Sequence, residues 1–342
     1  MPNFFTTASL EDRLSEPSEA TLTSLGELKG DILVLGAGGK MGPSLARMSR
    51  RASDATGVKR RVIAVSRFGD SKVQAALADS GVETIVGDLM DEAFIASLPK
   101  CENVIFMVGL KFGTDGGEAR TWATNAYLPG MVCRRFAGSR IVCFSTGNVY
   151  GLVPIEPGSG SVENDVLNPV GEYAMSCLGR ERVCEYFSRE TKTPMVVFRL
   201  NYATELRYGV LVDLARQVAS GQPVSLATGF FNVIWQADAV SMALCSLAHA
   251  TSPPFYLNVT GPERISCREV CLRLSELMNK QVSFRGEESD SALLSDARLA
   301  HRLFGRPRVT LDEMIVWTAD WIAQGGETWD KPTHFEVRDG KF

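Results

Sequence analysis

The sequence predicts an α/β protein: a doubly wound parallel sheet with a smaller, interleaved C-terminal domain. Three observations predict it. Short uninterrupted apolar runs recur between residues 31 and 200, each followed by a helix-like segment, and strands apolar on both faces belong to sheets covered on both sides. A glycine-rich turn, Gly36 to Gly42, joins the first of these runs to a helix. Beyond Asn201 the alternation loosens into short helices mixed with short strands.

Taken in order, residues 1–28 are polar and rich in Ser, Thr and Glu, and read as an N-terminal extension with one helix around Leu10–Leu14. Asp31–Gly36 (DILVLG) is the first buried strand, and Gly42–Ala52 continues as a helix. Arg61–Ser66 is the second strand, Lys72–Asp79 a helix, Val82–Val86 the third strand and Asn103–Val108 the fourth. A helix over Arg120–Phe136 leads into the fifth strand, Arg140–Phe144. The long helix Tyr173–Glu190 precedes the sixth, Pro194–Leu200. Length and flanking turn residues separate these strands from buried helices. The looser half holds helices at Gly209–Ser220, Ala239–Ala248, Cys267–Asn279 and Leu311–Gln324, with strands at Asn232–Trp235, Phe255–Val259 and Val282–Arg285. The expected division is therefore a nucleotide-binding unit over 29–200, to which 232–258 return, and a substrate-binding unit from 201–231 and 259–329. Residues 330–342 (DKPTHFEVRDGKF) form a polar tail, a loop or an arm.

Composition narrows the function classes. With 45 % hydrophobic and 22 % charged residues, the 342-residue chain can bury a large core and is not disordered. A net charge of −4 offers no basic footprint for nucleic acid. No segment approaches the ~20 apolar residues of a membrane span. The N-terminus is acidic and lacks a basic start followed by an apolar run, so no secretory signal is read there and the cytoplasm is the expected location. The eight cysteines form no CxxC pair, and His249, His301 and His334 each stand alone, so no zinc site is expected and the cysteines read as reduced, mostly buried thiols.

Gly36, Gly39 and Gly42 give GxxGxxG at a strand-to-helix turn, the context in which such glycines bind a dinucleotide on a Rossmann sheet. They allow a tight turn, close approach of backbone to pyrophosphate, and close packing of helix on strand. The helix start, with Lys40 and Met41, presents N–H groups and a partial positive charge to the phosphates. Ser66-Arg67 ends the second strand where NAD sites place an acid, the nearest being Asp70 beyond a glycine. An arginine there suits a 2′-phosphate, so the reading is NAD(P) with NADP favoured over NAD. Asp88 and Leu89 follow the third strand and Val108 ends the fourth; Asp88 is either an adenine contact or a helix N-cap.

Downstream, Ser145-Thr146-Gly-Asn-Val149-Tyr150-Gly151 is followed by Pro169 four residues before Tyr173, then Glu181 and Arg199-Leu-Asn201, with Asn125 in TWATNAYLPG upstream. Together with GxxGxxG, these resemble the extended short-chain dehydrogenase/reductases, the NAD-dependent epimerase/dehydratase family, over about residues 31–260. The resemblance implies an enzyme in which Thr146 hydrogen-bonds the reacting oxygen, Tyr173 is the general acid/base beside the nicotinamide, and Asn125 supports the active-site helix. It also implies that Asn201, Tyr202 and neighbours approach the substrate, often a sugar nucleotide, and that the protein is a homodimer packed through the Tyr173 helix, near which Cys133, Cys177 and Cys184 would lie. Lys111 and Arg207 are candidate partners for such a substrate, Arg207 being equally open to a surface role; Asp238 fits a helix N-cap.

One departure matters. The family's lysine, four residues after the tyrosine, is Cys177. It shares the tyrosine's helix face, where a lysine would lower the phenol pKa and hold the nicotinamide ribose, and a thiol does neither. Lys111 or Arg180 stands in for it, or the enzyme works mainly as a reductase with a neutral tyrosine, or hydride chemistry has been lost. The Asp-Glu pair that family dehydratases carry after the threonine is Gly147-Asn148, which disfavours a sugar 4,6-dehydratase. Two functions remain: an NAD(P)-dependent epimerase or dehydrogenase/reductase acting on a sugar-derived hydroxyl or carbonyl, and an impaired NADP(H)-binding regulatory or interaction protein.

Overall fold

A computed structural model describes residues 5–113, 116–156 and 158–341, so residues 1–4 of the extension and Phe342 of the tail lie outside the description. Seven strands make the central sheet: β1 Ile32–Leu35, β2 Val62–Ser66, β3 Glu83–Val86, β4 Asn103–Phe106, β5 Arg140–Thr146, β6 Met195–Leu200 and β7 Phe255–Val259. Their order is β7-β6-β5-β4-β1-β2-β3, and every pairing is parallel. Ile32 pairs with Val62 on one side and with Asn103 on the other. Strand order reverses at that point, which opens a crevice at the carboxyl ends of β1 and β4.

The helices follow from their apolar stripes and caps. α1 Thr7–Leu14 starts in a capping box between Thr6 and Ser9, and α2 Glu19–Glu27 is capped by Ser18. The extension therefore forms two helices, not the single one expected; Pro17 separates two capped segments. The pair packs on α3 Gly42–Ala55 and α10 Gln236–Ser246, with Thr21 Oγ1 2.6 Å from Ser241 Oγ. Between them in sequence come α4 Ser71–Asp79, α5 Glu92–Ser97, α6 Glu118–Trp122, α7 Leu128–Arg135, α8 Gly171–Thr191 and α9 Val210–Ser220. α11 Cys267–Met278, α12 Arg298–Phe304 and α13 Leu311–Ala323 complete the C-terminal part.

Four differences from expectation bear on the site. β4 stops at Phe106, and Val108 turns under Gly36. β5 runs on to Thr146, carrying that hydroxyl to the sheet's edge. The helix expected over Arg120–Phe136 is interrupted by a π-turn, Ala123–Tyr127, centred on Asn125. Phe255–Val259 is the main sheet's last strand, within the stretch expected to return to it, and the expected strands Asn232–Trp235 and Val282–Arg285 shrink to two-residue pairings. α5 and α12 were not expected; six or seven residues carry too little periodicity to read. Two large apolar cores cover the sheet, and a small third cluster joins Val149, Tyr150 and Cys177 beside Tyr173. No helix of the described residues is long and apolar enough to cross a membrane.

Candidate cofactor and active site

The cofactor end is built from backbone. Gly36 turns with φ +91°, and a Cβ there would lie 2.8 Å from Val108 Cγ2. A Cβ on Gly42 would lie 2.5 Å from the Ala37 carbonyl oxygen, so only glycine lets α3 start this close to the strand end. α3 begins after Met41 with no side-chain cap, which leaves its N-terminal N–H groups for an anion. In front of this turn lies a cleft of about 620 Å³ lined by Gly36, Gly39, Ser66, Arg67, Asp88, Leu89 and Val108 among others. Glycine turn, uncapped helix and cleft fit a dinucleotide.

Arg67 is exposed at the cleft's rim, while Asp70 caps α4 through a 2.8 Å bond from Lys72 N. The acid nearest to strand two is thus committed to a helix. Asp88 accepts from Met90 N at 2.9 Å, and the N-cap of α5 is Asp91 instead. Lys40 and Met41 depart from expectation in where their side chains go. Met41 packs into the core, so only its backbone can meet phosphate. Lys40 reaches towards the C-terminal part, its Nζ 3.0 Å from the Tyr208 ring centroid. Burial, together with the nearby charges of Lys111 and Lys331, lowers its pKa to about 7.

The catalytic end is built from buried side chains. Thr146 Oγ1 accepts from Asn148 N at 3.2 Å and from Asn148 Nδ2 at 2.9 Å. The Tyr173 side chain, on the first turn of α8, lies against the Thr146 hydroxyl and packs beside Cys177. Burial pushes this phenol far above its usual value, with Cys177 adding to the rise and Arg180 opposing it. Burial also pushes the Cys177 thiol up to about 11.

Arg180 points inward beneath Cys177. A spacing of seven residues brings a helix back to nearly the same face, so Tyr173, Cys177 and Arg180 form one line. Its Nη1 donates to the Phe144 carbonyl at 2.6 Å, its Nε to the Asn125 carbonyl at 3.0 Å and its Nη2 to Asn125 Oδ1 at 3.0 Å. Asn125 in turn exchanges two 2.8 Å bonds with the Leu110 backbone and donates to Ser176 Oγ at 3.0 Å. The π-turn sets Asn125 where both its carbonyls meet the guanidinium. Lys111 follows β4, and burial lowers its pKa to about 8, against the pull of Asp213, Cys177 and Glu336.

Other residues of the motif form a frame rather than a reaction centre. Glu181 is wholly buried, accepts from Ser145 Oγ at 2.5 Å, and pairs with Arg199 through bonds of 3.0 and 2.7 Å. Arg199 also donates to the Tyr150 hydroxyl at 2.6 Å, which donates to Asn258 Oδ1 at 2.7 Å. Charges paired this way hold position because separating them inside the protein is costly.

On the substrate side the outcomes diverge. Tyr202, with φ +44°, lies 6.0 Å by its ring from Lys111 Nζ and lines the cleft beside Asn148. Asn201 is buried, with Nδ2 3.4 Å from the Leu293 carbonyl. Arg207 is neither a free substrate contact nor a surface charge: it is buried and paired with Glu205 at 3.0 Å and with Glu11 of α1 at 2.6 Å. Nothing in the local sequence links residues 11 and 207. Asp238 is the third residue of its helix, not the N-cap, and accepts from Arg308 Nε at 3.3 Å and Val309 N at 3.1 Å. All eight cysteines are free and buried, so Cys133, Cys177 and Cys184 present no thiol at an outer surface. The tail is an arm drawn between the two halves of the molecule: Thr333 accepts from Lys111 Nζ at 3.2 Å and donates to Asp213 on α9.

Residues 32–256 match the model of the NAD dependent epimerase/dehydratase family. No curated protein sequence matches the chain. Among solved structures, a UDP-glucuronic acid 4-epimerase from Bacillus cereus, in complex with UDP-glucuronic acid and NAD, is similar at 17 % identity and a TM-score of 0.70, over 86 % of this chain and 99 % of that one. A UDP-glucose 4-epimerase from Thermotoga maritima with UDP-glucose gives 18 % identity and a TM-score of 0.70 over the same shares. The dTDP-glucose 4,6-dehydratase DesIV of Streptomyces venezuelae, with NAD bound, gives 19 % and 0.73 over 86 % of this chain and 97 % of that one. At these identities the likeness is one of fold.

Proposed function

We propose that this chain, which belongs to the NAD dependent epimerase/dehydratase family, binds NADP in preference to NAD and reduces a carbonyl of a sugar-derived substrate, most directly a sugar nucleotide. The observation that carries the reading is the Thr146–Tyr173 hydroxyl pair, set at the end of β5 beside a glycine-turn cleft. The uncapped start of α3 and the backbone of Gly39 would hold the pyrophosphate, and Arg67 a 2′-phosphate, since Asp70 is engaged as a helix cap. When bound there, the dinucleotide supplies the hydride. Thr146 holds the substrate oxygen. Tyr173, whose phenol stays protonated at neutral pH, donates the proton to that oxygen.

The direction follows from the missing lysine. With Cys177 at that position, the cation nearest the foundation of the site is Arg180, which tempers the rise in the phenol's pKa without reversing it. A protonated donor suits reduction better than the removal of a hydroxyl proton with which an oxidation begins. Gly147-Asn148 offers no acid for a leaving hydroxyl, and Asn148 is spent on Thr146, so a 4,6-dehydratase is not proposed.

The test is a titration of the purified protein with NADPH and NADH, followed by nicotinamide fluorescence, then addition of keto sugars and their nucleotide conjugates. Tighter binding of NADPH, and its oxidation with one of the carbonyl compounds, is the expected result. Binding that never leads to a redox change would leave the regulatory reading, which Cys177 favours. Failure to bind either dinucleotide would remove both.

A further inference from the structure

Beside Asn148, the residue that donates to the Thr146 hydroxyl, the gap between the sheet's end and the C-terminal part is lined on one side by the chain's own tail. We propose that residues 330–341 are a strap that closes the substrate cleft but not the cofactor cleft, and that substrate enters only when the strap lifts. The proposal rests on reading this cleft as the substrate site.

The strap's root is Trp329. Its N–H donates to the Arg207 carbonyl at 3.1 Å, its ring stacks on Tyr208 with centroids 6.1 Å apart, and the Arg207 guanidinium lies 5.0 Å from it. Thr333 then ties both walls together. Its N–H and hydroxyl donate to Asp213 Oδ2 at 2.7 and 2.6 Å, while its carbonyl accepts from Lys111 Nζ at 3.2 Å. Phe335 is buried edge-on against Phe231. Arg338 donates to the Ser291 carbonyl at 2.7 Å and to Ser291 Oγ at 2.8 Å. Gly340 runs against the start of α8, where a Cβ would lie 2.3 Å from the Val170 carbonyl oxygen, three residues before Tyr173.

The volume left decides what this does. Between Phe335, Val337, Arg338 and Gly340 on one side and Asn148, Leu152 and Tyr202 on the other, about 30 Å³ remain. That is room for about one water, against roughly 300–1,000 Å³ for a ligand pocket. The cofactor cleft of about 620 Å³ has no residue of the strap among those lining it. Residues 331–341 form no helix or strand, so the strap is held by separable side-chain anchors rather than by a ladder. A segment tied by a few anchors opens far more readily than a core strand, which suits a gate.

The experiment compares the full chain with a chain ending at Trp329, using UDP-glucose and UDP-glucuronic acid as probes. Deletion is expected to tighten probe binding by about tenfold or more, because the closed fraction no longer lowers the apparent affinity, and to leave NADPH affinity within a few fold. If deletion impairs folding, a D213C/T333C pair tests the opposite sign in the complete chain. The hydroxyl of Thr333 sits 2.6 Å from the Asp213 carboxylate, and the native thiols are all buried. Oxidation of that pair is expected to abolish probe binding reversibly while cofactor still binds. Equal probe affinity in full, shortened and crosslinked chains would overturn the strap. Hydrogen exchange separates this from failure of the sugar-nucleotide reading. If no form binds either probe, faster exchange over 148–152 and 202–208 on deletion still supports the strap, and unchanged exchange there overturns it.

Discussion

The two ends of the crevice are made of different material. At the cofactor end the working parts are backbone: a glycine at positive φ, a helix start without a side-chain cap, and strand ends paired in register. At the catalytic end they are side chains, drawn from β5, α8, the π-turn and the loop after β4 and held by Arg180, Glu181 and Arg199. A site made of backbone tolerates drift in every side chain except glycine, because what it offers is N–H groups and space. A site made of side chains depends on each partner: Arg180, beneath Cys177, meets the Phe144 and Asn125 carbonyls at once.

Five substitutions or conditions separate the two ends, taken from the largest expected effect. Tyr173→Phe is expected to lower hydride transfer by about two to four orders of magnitude, the usual yield of a positioned acid, while NADPH affinity stays within a few fold; stopped-flow reduction and fluorescence titration read the two. Gly42→Ala should do the reverse, since its Cβ would press on the Ala37 backbone. Overpacking of this kind costs about 1–3 kcal/mol, so a lower melting temperature together with loss of dinucleotide binding is expected.

Cys177→Lys tests whether Arg180 stands in for the family's lysine. Alone it buries a second charge beside Arg180, and the expected cost is about 3 kcal/mol, as for an unpaired buried charge. Arg180→Met is expected to destabilise as well, because it strips the Phe144 and Asn125 carbonyls of their donor, and the shortfall of the double variant from the summed costs measures how much of the C177K cost is repulsion. Equal stability of C177K and wild type would show that Cys177 and Arg180 are not neighbours in energy. Arg67→Ser, at the rim, is expected to cost about 1–2 kcal/mol in NADPH binding, in the range of a charge-assisted hydrogen bond, and nothing for NADH.

The smallest effect is a pH slope at Lys40. Its pKa of about 7 lies below the ordinary 10.5, so the unfolded chain holds more protons between those values, and this group's contribution to stability rises with pH across that window. Lys40→Met should flatten that slope. Calorimetric unfolding at several pH values checks the sign.

The cofactor end was the more legible. Gly36 and Gly42 are named by position, and the strands before and after them are apolar runs that can pair only in a buried sheet. The catalytic end was legible as a set of residues but not as a network. Arg180 was legible as one of two candidate cations, since i+7 returns to Tyr173's face, but its meeting with Asn125 depends on a π-turn that no periodicity announces. Arg207 read as a substrate contact or a surface charge because its partner, Glu11, is remote in sequence, and Glu205 beside it gave no hint of burial. The extension read as one helix because its second cap, Ser18, lies in an otherwise unremarkable polar stretch.

Local physics was enough for the alternation of strand and helix, the glycine turn and the shared helix face of Tyr173 and Cys177, because each depends on residues a few positions apart; that Thr146 belongs with them came from the family resemblance. Tertiary structure alone decided which charges were buried together, which carbonyls Arg180 meets, and where the tail came to rest. Those outcomes depend on pairs such as Glu11 with Arg207 or Asp213 with Thr333. The energy of such a pair exists only once the sheet has brought distant segments within hydrogen-bonding reach and removed the water between them.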